Sequence, residues 1–200
     1  MLRWLFVGLL LGVPVAGFSG EIRGTVQFAG PAEDPKPPIA VYLETEKPLP
    51  PPEEKPRLSQ KDAQFSPRLL VVSAGQTVVM PNDDAIAHNV FSYSKIKQFN
   101  LGIYPQGESR EVTFEKPGRV DIYCSIHRHM HGVILVVPTP YFTVGELEKE
   151  FALKDVPEGE YTVVVWMDGA KEARIPLKLT SDASELVEVR LEPAEPKKPE

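Results

Sequence analysis

Cysteine is almost missing. The chain of 200 residues has one, Cys124, so no internal disulfide can hold its fold. Basic residues are outnumbered, 22 Lys and Arg against 28 Asp and Glu. The resulting formal charge of −6 argues against a general binder of nucleic-acid phosphates, which presents a basic face. No long window carries helical periodicity, and no apolar run beyond residue 20 is long enough to cross a membrane. With 42% hydrophobic and 25% charged residues, wholesale disorder and a polytopic membrane protein are both excluded.

The first segment is of another kind. Residues 1–20 read MLRWLFVGLLLGVPVAGFSG: Arg3, an apolar run from Trp4 to Val13, then the small residues Ala16, Gly17 and Ser19. That order predicts a secretory signal peptide over residues 1–19, cut after Ala16, Gly17 or Ser19. Pro14 ends the run, which is short for a membrane span, and no nearby cysteine could take a lipid anchor. The expected location is therefore periplasmic or secreted, and the expected state is a monomer. Loss of Arg3 leaves 21 basic against 28 acidic residues, or −7. Exported chains normally use cysteines in pairs. Cys124 therefore has to be a reactive thiol, an intermolecular link or a metal ligand.

What is plentiful is period-two patterning and proline. EIRGTVQF (21–28), IAVYLE (39–44), residues 68–72, 77–80, 87–93, 108–114, 119–124, 132–137, 161–166, 173–179 and 185–191 all read as short strands. Only residues 144–151 could hold a helical turn or two. The class is all-β, a sandwich or Greek key. Of 21 prolines, many crowd residues 31–56. Residues 46–60, with KPLPPPEEKP, read as an extended solvated linker. Residues 192–200 read as a disordered tail, and VVPTPYF (136–142) as a break between the middle of the chain and its last third.

All four histidines and the cysteine fall into two segments, PNDDAIAHNVFSYS (81–94) and YCSIHRHMHGVILVV (123–137). Side chains alternate along a strand. Val120, Ile122 and Cys124 therefore share an inward face, as do Ile86, His88 and Val90. A compact turn after Cys124 can bring His127 and Met130 to the same point. Two imidazoles, a thiolate and a distant thioether form the donor set of a blue-copper electron-transfer site.

At these residues the sequence resembles the cupredoxins, the type 1 blue copper proteins, and most closely their amicyanin- and plastocyanin-like members. His88-Asn89, then Cys124, His127, Met130 and Gly132 before a valine-rich strand, match the family pattern; Arg128 stands where the family usually has proline. The resemblance implies one type 1 copper ion with His88, Cys124 and His127 equatorial and Met130 axial. It also implies that Asn89, with Ser125 as partner, ties the two ligand segments together. Residues 64–92 and 101–127 further resemble bacterial methylamine-utilisation-protein-like chains. In these a carboxypeptidase-regulatory-like (transthyretin-like) β-sandwich follows the copper domain. Here that segment is 141–191, recognisable by FALKDVPEGEYTVVVW at 151–166, with GELEKE in place of the family's usual Asp/Gly turn.

The implied organisation is a Greek-key cupredoxin sandwich over residues 61–138 and a second, smaller sandwich over 141–191. Residues 21–45 resemble the first hairpin of the second sandwich, which would make the copper domain an insertion. Alternatively they are the first cupredoxin strands. Pairing of strands near Val26 with strands near Val164 discriminates the two.

The bland readings apply elsewhere. His129 and His131 read as surface residues, Asp83 and Asp84 as the turn before His88, Phe91, Tyr93 and Tyr104 as packing, and Trp166 as core. The function implied is an exported one-electron carrier, not an enzyme, that exchanges electrons with redox partner proteins past His127. Its rim is read as Pro105, Met130 and Gly132, with Arg128 and His129 adding positive charge. Copper capture and delivery is the alternative.

Overall fold

The structure, a computed structural model, describes residues 19–31, 35–46, 49–181 and 183–195. The signal peptide expected over 1–19 lies outside these residues except for Ser19, which opens the first strand. Among the described residues every regular element is a strand. The all-β class is correct.

The strands form four stacked layers. The outermost is β1 (Ser19–Phe28) between β13 (Glu150–Pro157), antiparallel to it, and β16 (Ser184–Leu191), parallel. The next sheet runs β12 (Phe142–Gly145), β2 (Ile39–Glu44), β14 (Gly159–Met167), β15 (Ala173–Leu179). The third has five strands: β5 (Leu69–Ser73), β11 (His131–Val137), β10 (Gly118–Tyr123), β7 (His88–Ser94) and β8 (Lys97–Tyr104). The last layer is made of β6 (Thr77–Pro81) with β9 (Ser109–Thr113) and the hairpin β3 (Ser59–Lys61) with β4 (Gln64–Ser66).

Three cores fill the gaps, and the alternation of side chains explains how. On β2, Ile39, Val41 and Leu43 enter the outer core while Ala40 and Tyr42 enter the middle one. On β14, Val163 and Val165 face outward and Val164 and Trp166 face the middle. On β11, Ile134 and Val136 join the core shared with β6, β7 and β10 while Val133, Leu135 and Val137 join the middle one. These are the uninterrupted apolar stretches IAVYL, VVVWM and VILVV, as strands covered on both faces must be. The two sandwiches therefore share a dry face.

The strand near Val26 does not pair with the strand near Val164; it is β2, at the other end of residues 21–45, that pairs with β14. Val26 lies opposite Val189, and Tyr42 lies opposite both Val164 and Phe142. Leu43 donates its N–H to the Tyr141 carbonyl at 3.0 Å, and Thr139 Oγ1 donates to the Leu43 carbonyl at 2.6 Å.

Three expectations change. The second half of the 46–60 stretch is not free linker. Leu58 is fully buried, its N–H bonds the Val79 carbonyl at 2.9 Å, and Val79 N–H bonds the Pro56 carbonyl at 2.9 Å. An extended proline-rich chain has unpaired carbonyls to offer a sheet edge, and β6 accepts it. The start of the 192–200 tail is also held: Lys171 N–H bonds the Glu192 carbonyl and Ala194 N–H the Gly169 carbonyl, each at 2.8 Å; residues 196–200 lie outside the described residues. Finally, 144–151 has no helical turn. It is the end of β12, a tight turn with Glu148 at φ 65°, and the start of β13.

Candidate metal centre

The third sheet brings the two segments together. β7 starts at His88 and its antiparallel neighbour β10 stops at Tyr123, so His88 and Cys124 emerge at one end of adjacent strands. Both point inward; His88 is fully buried and Cys124 is 4% exposed. The loop to β11 is short and tight, with Met130 N–H donated to the His127 carbonyl at 3.0 Å. Gly132 lets it close: a Cβ there would meet Phe65 at 3.2 Å and Ile122 at 3.3 Å. Met130 is buried in the same core as Cys124.

Three donor atoms converge. Cys124 Sγ is 4.0 Å from His88 Nδ1 and 3.9 Å from His127 Nδ1, and the two nitrogens are 3.1 Å apart. The group is the one His/Cys/acid cluster of this kind among the described residues. These separations leave a point in the donors' common plane about 2.05 Å from each nitrogen and about 2.3 Å from sulfur, the bond lengths imidazole and thiolate make to zinc. A transition ion fits. A thiolate with two imidazoles is soft enough for Cu(I) and basic enough for Cu(II).

The surroundings hold these donors in place. Asn89 Oδ1 accepts the Ser125 N–H at 3.3 Å, linking the two ligand segments. Its amide donates to Asn100 Oδ1 at 2.8 Å and to the Gly102 carbonyl at 3.0 Å. Gly102 has φ +70° beside a register shift in the β7–β8 pairing, so a glycine suits that kink. On the other side, Asp84 Oδ2 lies 2.9 Å from His88 Nε2 and accepts the Ala63 N–H at 2.7 Å. Those contacts, the Ala63 bond foremost, hold the Asp84 carboxyl below its usual range.

Sequence reasoning treated Asp84 as a turn residue. The signal available was a carboxylate four positions before His88. What it lacked was the partner, because Ala63 arrives from a hairpin tip 21 residues upstream.

Several placements differ from expectation. Ile86 is 47% exposed, since Asn82 Nδ2 bonds its carbonyl and turns the chain before β7 begins. Met130 and Gly132 are buried and form no rim, because the loop folds under rather than around His127; Pro105 is exposed. The exposed large aliphatic side chains on or beside the segments that carry the site are Ile86, Ile126 beside His127, and Ile103, which pairs with Asn89. Tyr93, read as packing, is 77% exposed. His129 Nε2 is 3.1 Å from the Ala63 carbonyl, and His131 Nε2 is 2.8 Å from Asp121 Oδ1 with its ring stacked on Tyr123.

Comparison with known proteins agrees with this chemistry. Residues 55–137 match the family model described as copper binding proteins, plastocyanin/azurin family. That segment, less than half of the chain, is a cupredoxin domain, and copper is its cofactor. Among solved structures, a purple cupredoxin from Nitrosopumilus maritimus is 27% identical over 42% of this chain and all of its own, with a TM-score of 0.39. A reduced amicyanin variant is 20% identical over 48% of this chain and 98% of its own, TM-score 0.40. A copper-containing nitrite reductase from Thermus scotoductus is 26% identical over 42% of this chain but 22% of its own length, TM-score 0.40.

Proposed function

We propose that the protein is an exported one-electron carrier in which His88, Cys124 and His127, with Met130 buried beside them as a fourth donor, would hold a single type 1 copper. The convergence of one buried thiolate and two imidazole Nδ1 atoms carries the reading. Copper bound there supplies the Cu(II)/Cu(I) couple. The chain's own residues keep the donors in one arrangement for both states: β7 and β10 fix His88 and Cys124, and Asn89 locks the loop to the sheet. Reorganisation on electron exchange is then small.

His127 is the half-exposed ligand, and the exposed Ile86, Ile103 and Ile126 offer a redox partner protein apolar contacts. Arg128 and His129, both exposed, add a basic edge to an acidic body. The second sandwich serves as a docking or spacer module. Capture and delivery of copper would draw on the extra histidines. Both have Nε2 engaged, on Ala63 and on Asp121, which favours the carrier. The enzymatic reading has no further cluster of metal-ligating side chains among the described residues to build on.

Addition of Cu(II) to the purified protein tests the function. The expected result is an intense visible thiolate charge-transfer band, absent in Cys124→Ser. A colourless copper complex overturns it.

A further inference from the structure

His88 uses one ring nitrogen towards Cys124 and His127; its other nitrogen faces a carboxylate. Asp84 Oδ2 sits 2.9 Å from His88 Nε2, and the pair is nearly dry, with His88 fully buried and the Asp84 side chain 14% exposed. Two backbone N–H groups point at the same carboxylate, Ala63 to Oδ2 at 2.7 Å and Ala85 to Oδ1 at 2.8 Å. Asp84 is thus an acceptor on both oxygens, so the hydrogen between it and His88 belongs to Nε2.

The Ala63 donor is unusual in its own right. Residues 62 and 63 form the two-residue loop between β3 and β4, with φ 53° at Asp62 and 51° at Ala63. Such a loop needs both residues in the left-handed region, where Asn-Gly is preferred. Here an alanine is kept in that region at a cost, and the outcome is specific: its N–H meets Asp84 while its carbonyl meets His129 Nε2 at 3.1 Å. One residue of the hairpin tip spans both ligand segments. Strain at a position that grips a site is a pointer to function.

We propose that Asp84, clamped by the β3–β4 turn, is the positioning residue of His88: it fixes the Nε2–H tautomer that leaves Nδ1 bare, and its negative charge favours Cu(II) over Cu(I). The tautomer half stands on the geometry alone; the redox half rests on the copper reading above. A carboxylate behind a ligating imidazole raises the ligand's basicity and adds charge near the ion, both of which stabilise the higher oxidation state. The neighbouring carboxylate is a built-in control. Asp83 is turned to Arg57, at 2.6 Å, and to Ser59, and makes no contact with His88.

Two measurements test it. Nitrogen-15 NMR of the metal-free wild-type protein at about pH 8, above the ordinary histidine range, should show His88 protonated on Nε2. A proton on Nδ1 overturns the proposal without any variant having to fold. Redox titration of the copper-loaded protein then compares wild type, Asp84→Asn and Asp83→Asn. Asp84→Asn should keep the charge-transfer band while its Cu(II) affinity falls about tenfold, the loss typical when an outer partner of a ligand is removed, and its Cu(I) affinity falls less, so its potential rises. Asp83→Asn should stay within about twofold of wild type, as expected for a more exposed charge without a ligand contact. An unmoved potential in Asp84→Asn, or an equal shift in both variants, overturns the redox half. A wild-type protein that stays colourless with Cu(II) overturns the copper reading instead, and the NMR result still decides the tautomer.

Discussion

Asn89 Oδ1 accepts the Ser125 N–H at 3.3 Å, so the strand that carries His88 and the loop that carries His127 are joined by one side chain. The same amide fills its donor capacity on Asn100 and Gly102 at 2% exposure. Asn89→Ala should therefore cost about 1–2 kcal/mol, because it removes part-buried hydrogen bonds whose partners Ser125, Asn100 and Gly102 are exposed and can turn to water. Urea denaturation of the metal-free protein measures it, and copper should exchange faster from the variant.

The β3–β4 turn predicts a gain. Ala63→Gly keeps the N–H that meets Asp84 and removes the cost of a left-handed alanine, offset in part by the greater freedom of glycine when unfolded. A net stabilisation of up to about 1 kcal/mol is expected, read from the thermal midpoint. Ala63→Val, with a branched Cβ in the same conformation, should destabilise.

Leu135 lies on the face of β11 that packs on the second sandwich, at 3% exposure. Leu135→Ala should cost about 2–5 kcal/mol. Because the middle core is shared, the loss should lower one common transition seen both by Trp166 fluorescence and by far-ultraviolet circular dichroism. Separate midpoints would contradict the shared face.

Acid should weaken the protein in a defined window. Burial pushes the Asp121 carboxyl up, but hydrogen bonds from Arg119 and His131 outweigh it and leave the group below its ordinary value of 3.8. A depressed carboxylate stabilises the fold above its unfolded pKa, and that contribution is lost as pH falls through the folded one. Stability should thus begin to decline as pH approaches the ordinary value of 3.8 and go on declining below it. Arg119, which also lies 5.8 Å over the Trp166 ring and pairs with Asp168, sets the effect. Arg119→Ala should be about 1–2 kcal/mol less stable at neutral pH, as for a partly exposed charged hydrogen bond, and show a shallower acid decline.

The inward donors were legible because local periodicity decides them. Val120, Ile122 and Cys124 follow the pleat, and the short spacing from Cys124 to His127 leaves the loop little freedom. Ile86 broke the same rule, since Asn82 turns the chain before the strand begins. Asp84 and Ala63 were not legible, because their roles depend on a meeting between a hairpin tip and a turn far apart in sequence. Strands such as β2 announced themselves as apolar, yet periodicity could not say that their two faces serve two different cores. The rim failed in a similar way: whether Met130 and Gly132 fold under His127 or around it is settled by Phe65 and Ile122, from other strands.

The pairing of β2 with β12 has a topological consequence. Tyr42 opposite Phe142, and Ile39 opposite Gly145, make these two strands the arms of an antiparallel hairpin. The chain between these arms carries the metal-centre residues, and Leu43 and Tyr141, where it leaves and returns, already touch. The ends of this segment stand where a tight turn would stand. A folded segment whose ends meet adds little closure entropy to the hairpin it joins. The single-cysteine site is carried by a segment that enters and leaves through one door.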